Sequence, residues 1–362
     1  MEYVSALLVL SVLGGALAAL LVAADRLLCN YGPCAVRVND REPFVVDGGG
    51  TLLDALYARR IFIPSACGGQ GTCGYCKVQV RSGGGGVLPT ERAYLRAEEI
   101  ADGVRLACQV KVRQDLTLAI REDYLGVQEF TAVVTAARLV THDTREIHLQ
   151  LTQPPEIDFR PGQYVQVRVP ARGAPTFRAY SISSPPGRKD AVELLVRRVP
   201  GGVGSTYLHR VQPGAEVAFT GPYGEFVLDE DPLAELVCVG GGCGMAPMRS
   251  ILRHLAEAQP LRPCRLFYGA RTARDAMYLE EFGELQRRMP DLHVYYALSE
   301  PARADDGWDG ETGFVHESVR AHLSEGGERQ AFLCGPPAMI QATRAVLREK
   351  HVPDERVFAD EF

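Results

Sequence analysis

Four cysteines constrain the fold of this 362-residue chain more than any other feature of its sequence. Cys67, Cys73 and Cys76 follow a C-x5-C-x2-C spacing, and Cys108 lies further along the chain. A [2Fe–2S] cluster needs four thiolate ligands, and three of them can come from one loop that wraps the inorganic core. Four glycines within the loop allow such a curl and let backbone N–H groups point at the sulfurs. The pattern therefore predicts these four cysteines as the ligands of a [2Fe–2S] cluster.

A structural zinc site is the alternative for the same cysteines. Zinc sites are usually built from two short C-x2–4-C pairs, whereas Cys108 has no neighbouring cysteine with which to form a second pair. The spacing therefore favours the cluster. Ten cysteines in a chain of this length also do not indicate a disulfide scaffold.

The sequence around the cysteines predicts a small β-rich domain over 35–125. Apolar residues alternate on both sides of Asn39-Asp40, which is typical of a β-hairpin, and leucines with helical spacing follow. Ile61 and Ile63 then predict a return to strand. After a run of glycines, Thr90 is expected to serve as the N-cap of a helix.

The N-terminus predicts a membrane anchor over 1–26. From Tyr3 to Ala24 the chain has no charged side chain. These 22 residues are long enough, as a helix, to cross a hydrocarbon core of ~30 Å. A cleaved signal peptide would begin with a positive segment, which is absent before this stretch. Because Arg26, Arg37 and Arg41 follow the stretch, the positive-inside rule places the domains after it in the cytoplasm. We expect a single-pass transmembrane helix.

Composition excludes several classes of protein. With 46% hydrophobic and 23% charged residues, the chain is neither disordered nor fibrous. Lys and Arg number 39 against 45 Asp and Glu, so the net charge is -6 and no basic surplus exists to neutralise phosphates. We expect no nucleic-acid partner.

Over 126–230, short alternating segments separated by glycine and proline predict an antiparallel β-barrel. It contains an Arg-Ala-Tyr-Ser segment and a glycine-rich turn that opens a helix. A flavin nucleotide needs an aromatic face, a hydrogen-bond donor near its ring, and cations plus N–H groups for its phosphates. The predicted FAD-binding residues are Arg178, Ala179, Tyr180, Ser181, Gly204, Ser205 and Thr206.

Over 231–362, a buried strand, a glycine-rich turn and a helix are followed by further strand-and-helix units. This order predicts an α/β domain with a parallel sheet covered by helices on both faces. Ligands bind at the carboxyl ends of such strands. The predicted nucleotide-binding residues at those ends are Gly240, Gly241, Gly242, Gly244, Met245, Ala246, Cys334, Gly335 and Pro336. The fold class is therefore α+β and multidomain.

These motifs resemble known families. The cysteine loop has the spacing of adrenodoxin-like β-grasp ferredoxins, and the two halves after it resemble the ferredoxin–NADP reductase superfamily. The whole order resembles the F subunits of sodium-translocating NADH:quinone oxidoreductases. The segments that carry this resemblance are Ser65–Gly69, Leu88–Glu91, Leu106–Gln109, Arg178–Ser181, Gly221–Phe226, Gly244–Ser250 and Asp360–Phe362.

The resemblance implies roles for individual residues. Arg178 would bind the flavin phosphates, Tyr180 would pack on the isoalloxazine and Ser181 would lie near N5. The glycine turn would hold the nucleotide pyrophosphate, and Cys334 would lie at the nicotinamide edge. Phe362 would cover the flavin and move aside for nicotinamide. The implied catalytic residues are Tyr180, Ser181, Cys334 and Phe362, and the implied cofactors are the [2Fe–2S] cluster, FAD and NADH.

The resemblance also implies a setting. We expect an NADH dehydrogenase component in a bacterial inner membrane, which feeds the integral subunits of a quinone reductase complex, with coupling to sodium translocation left open. The F subunits usually carry an insertion before their Arg-x-Tyr-Ser motif, and here Val169–Phe177 is a short link. The alternative is therefore a membrane-tethered reductase component of an oxygenase, which uses the same domains.

Overall fold

The computed structural model describes residues 10–20, 22, 31–170, 176–228, 234–300 and 307–361. The chain divides into two compact units, Met1–Gly126 and Val127–Phe362. Each unit is built around its own sheet or sheets and its own buried apolar residues.

The first unit contains a five-stranded mixed sheet and short helices. The strands are β1 (Pro33–Val38), β2 (Phe44–Asp47), β3 (Lys77–Ser82), β4 (Val104–Leu106) and β5 (Leu116–Ala119), and the helices after β1 and β2 are α1 (Leu52–Ala58), α2 (Pro89–Arg92) and α3 (Ala97–Ala101). The strands are ordered β2-β1-β5-β3-β4, with β1 parallel to β5 and the other neighbours antiparallel. Leu52, Leu53 and Leu56 of α1 are buried in the core of this unit, as their spacing predicts.

The predicted hairpin is confirmed, since Asn39 and Asp40 adopt positive φ angles of 47° and 57° between β1 and β2. Two local predictions are wrong. Ile61 and Ile63 do not lie in a strand, because this buried segment has no ladder partner and Ile63 instead accepts a hydrogen bond from Tyr57. The spacing of Ile61 and Ile63 is therefore that of a buried segment without strand structure.

Thr90 is not an N-cap either. Pro89 occupies the first helical position, where its missing N–H costs nothing, so Leu88 is the N-cap of α2. The Glu91 carboxylate accepts the Leu88 N–H at 2.8 Å, and the Thr90 hydroxyl donates to Gln109 at 2.9 Å.

The second unit begins with a six-stranded antiparallel sheet. Its strands are β6 (Gln128–Leu139), β7 (Thr144–Gln153), β8 (Tyr164–Val169), β9 (Thr176–Ser181), β10 (Ala191–Arg197) and β11 (Glu216–Tyr223), and its helix is α4 (Val203–Leu208). The strands are ordered β10-β7-β6-β11-β8-β9. The sheet curls into a half-barrel, and an antiparallel bridge between Ile182 and Leu194 joins its two edges. The predicted barrel is thus a curled sheet around an apolar core.

A six-stranded parallel sheet with helices between its strands follows. The elements are β12 (Glu235–Gly241), α5 (Met245–Ala258), β13 (Cys264–Ala270), α6 (Leu279–Arg288), β14 (Leu292–Leu298), β15 (Glu311–Thr312), α7 (Val315–His322), β16 (Arg329–Gly335), α8 (Pro337–Glu349) and β17 (Val357–Glu361). The strand order is β15-β14-β13-β12-β16-β17. Alternate residues of β12 enter two apolar clusters: Leu236 and Cys238 pack with α5 and α6, whereas Val237 and Val239 pack with α7 and α8. Helices on both faces are confirmed.

The predicted anchor at Tyr3–Ala24 lies partly outside the described residues. Positions 10–20 are helical, and Leu10, Leu13, Leu17 and Leu20 of this segment are exposed. Within the described parts of the chain, we find no helix that combines the length and the apolar character needed to cross a bilayer.

Candidate cofactor sites

The four predicted ligand cysteines converge on one point of the first unit. The Cys73 thiol donates to the Cys67 sulfur at 3.4 Å, and the thiols of Cys76 and Cys108 are likewise hydrogen-bonded. Cys108 lies two residues after the end of β4, and the last residue of β4, Leu106, pairs with Lys77, which directly follows Cys76. The long sequence gap before the fourth ligand is therefore closed by a strand pair.

Backbone and side-chain donors surround the sulfurs. The Cys73 thiol and the backbone of Thr72 and Gln70 donate to Cys67 and lower its pKa, and of these donors the backbone groups would remain when Cys73 itself binds iron as a thiolate. The Gln109 side-chain amide donates to the Cys108 sulfur at 3.6 Å. Donors that favour thiolate also favour a bound iron–sulfur core.

The loop fits a cluster sterically as well. Gly71 has φ of 73°, and a Cβ on it would come within 2.5 Å of the Gln109 amide nitrogen. Only glycine adopts this conformation readily and leaves that space. Four converging sulfurs, N–H donors and a tight glycine curl together match the requirements of a [2Fe–2S] cluster.

The predicted flavin residues lie on β9 and α4, which pack directly against each other. A Cβ on Gly204 would come within 2.6 Å of the Tyr180 hydroxyl and 2.8 Å of Arg178 Cγ. The first turn of α4 can therefore approach the arginine because residue 204 has no side chain. This cradle of a cation, an aromatic ring and helix N–H groups fits a flavin nucleotide.

The remaining flavin candidates differ in what they contact. Burial raises the pKa of Tyr180, so its hydroxyl is neutral. Ser181 lies at the end of β9 opposite Tyr164 of β8. The Ser205 hydroxyl contacts Val199 and Gly202, so it stabilises the glycine-rich turn. Ala179 and Thr206 lie on the same two elements.

The two nucleotide motifs meet at the carboxyl edge of the parallel sheet. A Cβ on Gly244 would lie 1.9 Å from the Cys334 carbonyl oxygen, so the glycine turn and the end of β16 are in direct contact. Met245 and Ala246 are buried at the start of α5. Burial keeps the Cys334 thiol neutral by raising its pKa well above the usual value. Phe362 lies outside the described residues.

A cavity of about 210 Å³ opens at this edge, and we call it the nucleotide cavity. Gly241, Gly242 and Pro336, three of the predicted nucleotide-binding residues, line it. The other lining residues come from the β6–β7 turn, from the ends of β10 and other strands, and from turns and a helix further along the chain, so no local sequence pattern indicates them. They include Thr141, Asp143, Thr144, Arg197, Tyr268, Ala270, Asp275, Phe314 and Met339.

Three domain families match consecutive parts of the chain. Residues 34–113 match the 2Fe-2S iron-sulfur cluster binding domain, 131–228 the oxidoreductase FAD-binding domain, and 238–345 the oxidoreductase NAD-binding domain. These matches confirm the predicted [2Fe–2S], FAD and NAD(H) cofactors and favour the cluster over zinc.

Curated relatives match along the full length. The F subunit of the Na(+)-translocating NADH-quinone reductase of Neisseria gonorrhoeae is 35% identical over 405 aligned positions, which cover 100% of both chains. The chain belongs to the family of these F subunits. The corresponding protein of Methylococcus capsulatus is 35% identical and covers 96% of each chain, and that of Klebsiella pneumoniae is 32% identical with full coverage. This family member is an NADH-dependent iron–sulfur flavoprotein oxidoreductase.

Two solved structures with the same architecture are also similar. The Amycolatopsis cytochrome P450 reductase GcoB is 33% identical with a TM-score of 0.72, and the ferredoxin reductase in carbazole 1,9a-dioxygenase is 28% identical with a TM-score of 0.70. Each alignment covers 91% of this chain and 98% of the other.

Proposed function

We propose that this protein is the electron-input component of a membrane quinone reductase complex. It oxidises NADH at the nucleotide cavity and passes electrons through FAD to the [2Fe–2S] cluster. The observation that carries the proposal is one chain that combines a complete cysteine loop with a nucleotide cavity, and that aligns with the F subunits of its curated relatives from end to end.

When bound, FAD would supply the conversion between the two electrons of one hydride from NADH and the single electrons that a [2Fe–2S] cluster accepts. Arg178 and the first turn of α4 would hold the flavin phosphates, and Tyr180 would pack on the flavin ring with Ser181 beside it. Gly240–Gly244, Met245 and Ala246 would hold the NADH pyrophosphate, with Cys334, Gly335 and Pro336 at the nicotinamide. Cys67, Cys73, Cys76 and Cys108 would ligate the cluster.

The remaining expectations belong to the same proposal. The domains at 35–125, 126–230 and 231–362 would bind the [2Fe–2S] cluster, FAD and NADH, respectively. Residues 1–26 would anchor the chain in the inner membrane with its domains in the cytoplasm. The uncharged Tyr3–Ala24 stretch and the exposed leucines within it support the anchor. Phe362 would cover the flavin, and coupling to Na⁺ would follow from the rest of the complex.

Anaerobic titration of the purified full-length protein with NADH tests the chemistry. We expect FAD and [2Fe–2S] absorbance in the visible spectrum, and both should bleach on addition of NADH. A protein whose visible spectrum does not respond to NADH contradicts the proposal.

A second candidate is a reductase for an oxygenase. It is favoured by the similarity to a P450 reductase and a dioxygenase reductase and by the short link over 169–177. Purification of the full-length protein from its native membranes separates the two: integral quinone reductase subunits should accompany it in the first case, and an oxygenase component in the second.

A further inference from the structure

The outer face of the β7–β10 strand pair carries acidic residues whose alternation with apolar residues is typical of solvent-facing positions. Glu146 on β7 and Glu193 on β10 alternate with Ile147 and Leu194, which fill the core of the half-barrel. Yet Glu146 is only 1% exposed and Glu193 only 2% exposed. Something in the second unit covers this face and must compensate its charge.

Helix α5 supplies that compensation. Arg249 donates to Glu193 at 2.6 Å, and Arg253, one turn later, donates to the same carboxylate at 2.7 Å. Arg249 also donates to Glu281 of α6 at 2.9 Å. One guanidinium therefore joins the half-barrel to two helices of the parallel-sheet domain.

The residue before α6 completes this charged cluster, which comprises Glu146, Glu193, Arg249, Arg253, Tyr278 and Glu281. The Tyr278 hydroxyl donates to Glu146, and the Arg249 guanidinium lies 4.5 Å above the Tyr278 ring. Burial alone would raise the pKa of Glu146, but hydrogen bonds from His148 and Tyr278 and the charge of Arg249 lower it to about 2. The carboxylate is therefore ionised.

The charged cluster contacts residues that lie close in sequence to the flavin motif and to the nucleotide-binding turn. Arg249 donates to the Ser183 hydroxyl at 3.2 Å, and the Ser250 hydroxyl donates to the Ser184 carbonyl at 2.7 Å. The two half-barrel serines come just after the Arg178–Ser181 flavin motif, and Arg249 lies in the helix that begins at the glycine turn. These contacts thus tie the flavin motif to the nucleotide-binding turn.

A buried ionic cluster adds little net stability compared with apolar packing, because desolvation offsets the attraction between the charges. Its directional hydrogen bonds instead favour one relative placement of the parts that they join. Hydride transfer is sensitive to placement, since a displacement of about 1 Å can cost ~100-fold in rate.

We propose that Arg249 is a positioning residue, which holds the NADH-binding turn at the orientation required for hydride transfer to the flavin. This proposal rests on the proposed function. Arg249 is not among the described residues that line the nucleotide cavity, so its effect acts through the elements that it joins.

The chain offers a matched control. Arg329 and Arg249 are each 5% exposed. Arg329 likewise donates to a glutamate, Glu235, at 2.6 Å, and Arg265 donates to the same carboxylate. This second group lies where β12, β13 and β16 begin, at the opposite edge of the sheet from the nucleotide cavity. Arg249→Met and Arg329→Met each remove one buried guanidinium from the same domain.

Full-length variants are compared by anaerobic stopped-flow reduction of FAD at saturating NADH, by NAD⁺ affinity, by FAD content and by amide hydrogen exchange. For Arg249→Met we expect reduction slowed on the order of tenfold to a hundredfold, with FAD content retained and NAD⁺ affinity changed less than about threefold. Exchange over 240–248 should accelerate. Arg329→Met should reduce FAD within about twofold of wild type even where its unfolding temperature falls.

Two milder variants protect the test against a folding failure. Arg249→Lys keeps a charge near Glu193 and should recover part of the lost rate, and Ser183→Ala removes a single hydrogen bond and should slow reduction a few fold. Equal rates for Arg249→Met and Arg329→Met, or a loss that follows FAD content, would overturn the proposal. A wild-type protein that NADH cannot reduce would instead refute the proposed function.

Discussion

The cysteine loop and the nucleotide cavity are assembled in different ways. Three of the four sulfurs come from one loop, Cys67–Cys76, and a neighbouring strand pair brings the fourth. The nucleotide cavity takes its walls from residues as distant as Thr141 and Met339, on two sheets and several turns. The first site therefore depends on local chain conformation, whereas the second depends on how separate elements pack.

This difference predicts that the cluster can be removed alone, which is the largest effect that we expect. Cys73→Ala removes one of the four thiolates proposed to hold the cluster, so the [2Fe–2S] absorbance and the bound iron should be lost. Reduction of FAD by NADH should continue. The control is Cys34→Ala, a buried cysteine in the apolar core of the same unit whose thiol donates to the carbonyls of Tyr31 and Gly32, and this variant should retain the iron. Simultaneous loss of flavin reduction in Cys73→Ala would show that the sites are not separable.

The nucleotide cavity should instead be disrupted by a substitution that disturbs the packing of its elements. In Gly244→Ala the new methyl group would meet the Cys334 carbonyl at 1.9 Å, so the glycine turn or β16 must move. We expect a loss of about 3 kcal/mol in the free energy of unfolding and little remaining reduction by NADH, measured by thermal unfolding and stopped-flow absorbance.

Gly283→Ala is the matched control for that substitution. Gly283 lies within α6 of the same domain, and a Cβ there would meet nothing within 4 Å. Because alanine favours helix, this variant should gain up to about 1 kcal/mol. Equal behaviour of the two variants would contradict the contact between the glycine turn and β16.

The same contrast explains what the sequence could predict. The hairpin at Asn39-Asp40 is encoded by neighbouring residues and is predicted correctly. The candidate ligand cysteines and the glycine turn at 240–244 stand out by the same kind of local spacing. Arg197 and Tyr268 are missed because only packing brings them to the cavity. Glu146 alternates with core residues as a solvent-facing residue would, and nothing nearby in the sequence indicates that Arg249 and Tyr278 cover it.

Acid should lower the free energy of unfolding of the second unit through protonation of Glu146. Its pKa is about 2 in the folded protein against an ordinary value of 4.5, so it contributes about 3 kcal/mol of stability above pH 4.5. That contribution is lost as the pH falls from 4.5 towards 2. Glu146→Gln should flatten this part of the dependence, measured by chemical unfolding of the second unit between pH 6 and about 3. A slope identical to that of wild type would exclude Glu146 as its source.

The cysteine loop is local but not isolated, and the smallest predicted effect addresses this point. Gln109 lies outside the loop, and its amide donates to the Cys108 sulfur at 3.6 Å while its oxygen accepts from Thr90. A donor to sulfur stabilises the more negative, reduced cluster, so Gln109→Leu should lower the cluster potential by about 20–40 mV, the equivalent of less than ~1 kcal/mol for one electron. Thr90→Val removes only the contact that orients the amide and should produce part of that shift. Potentiometric titration measures both, and an unchanged potential in Gln109→Leu would mean that the loop alone determines the environment of the cluster. A shift would show that even the locally encoded site uses one donor that the fold, rather than the cysteine spacing, puts in place.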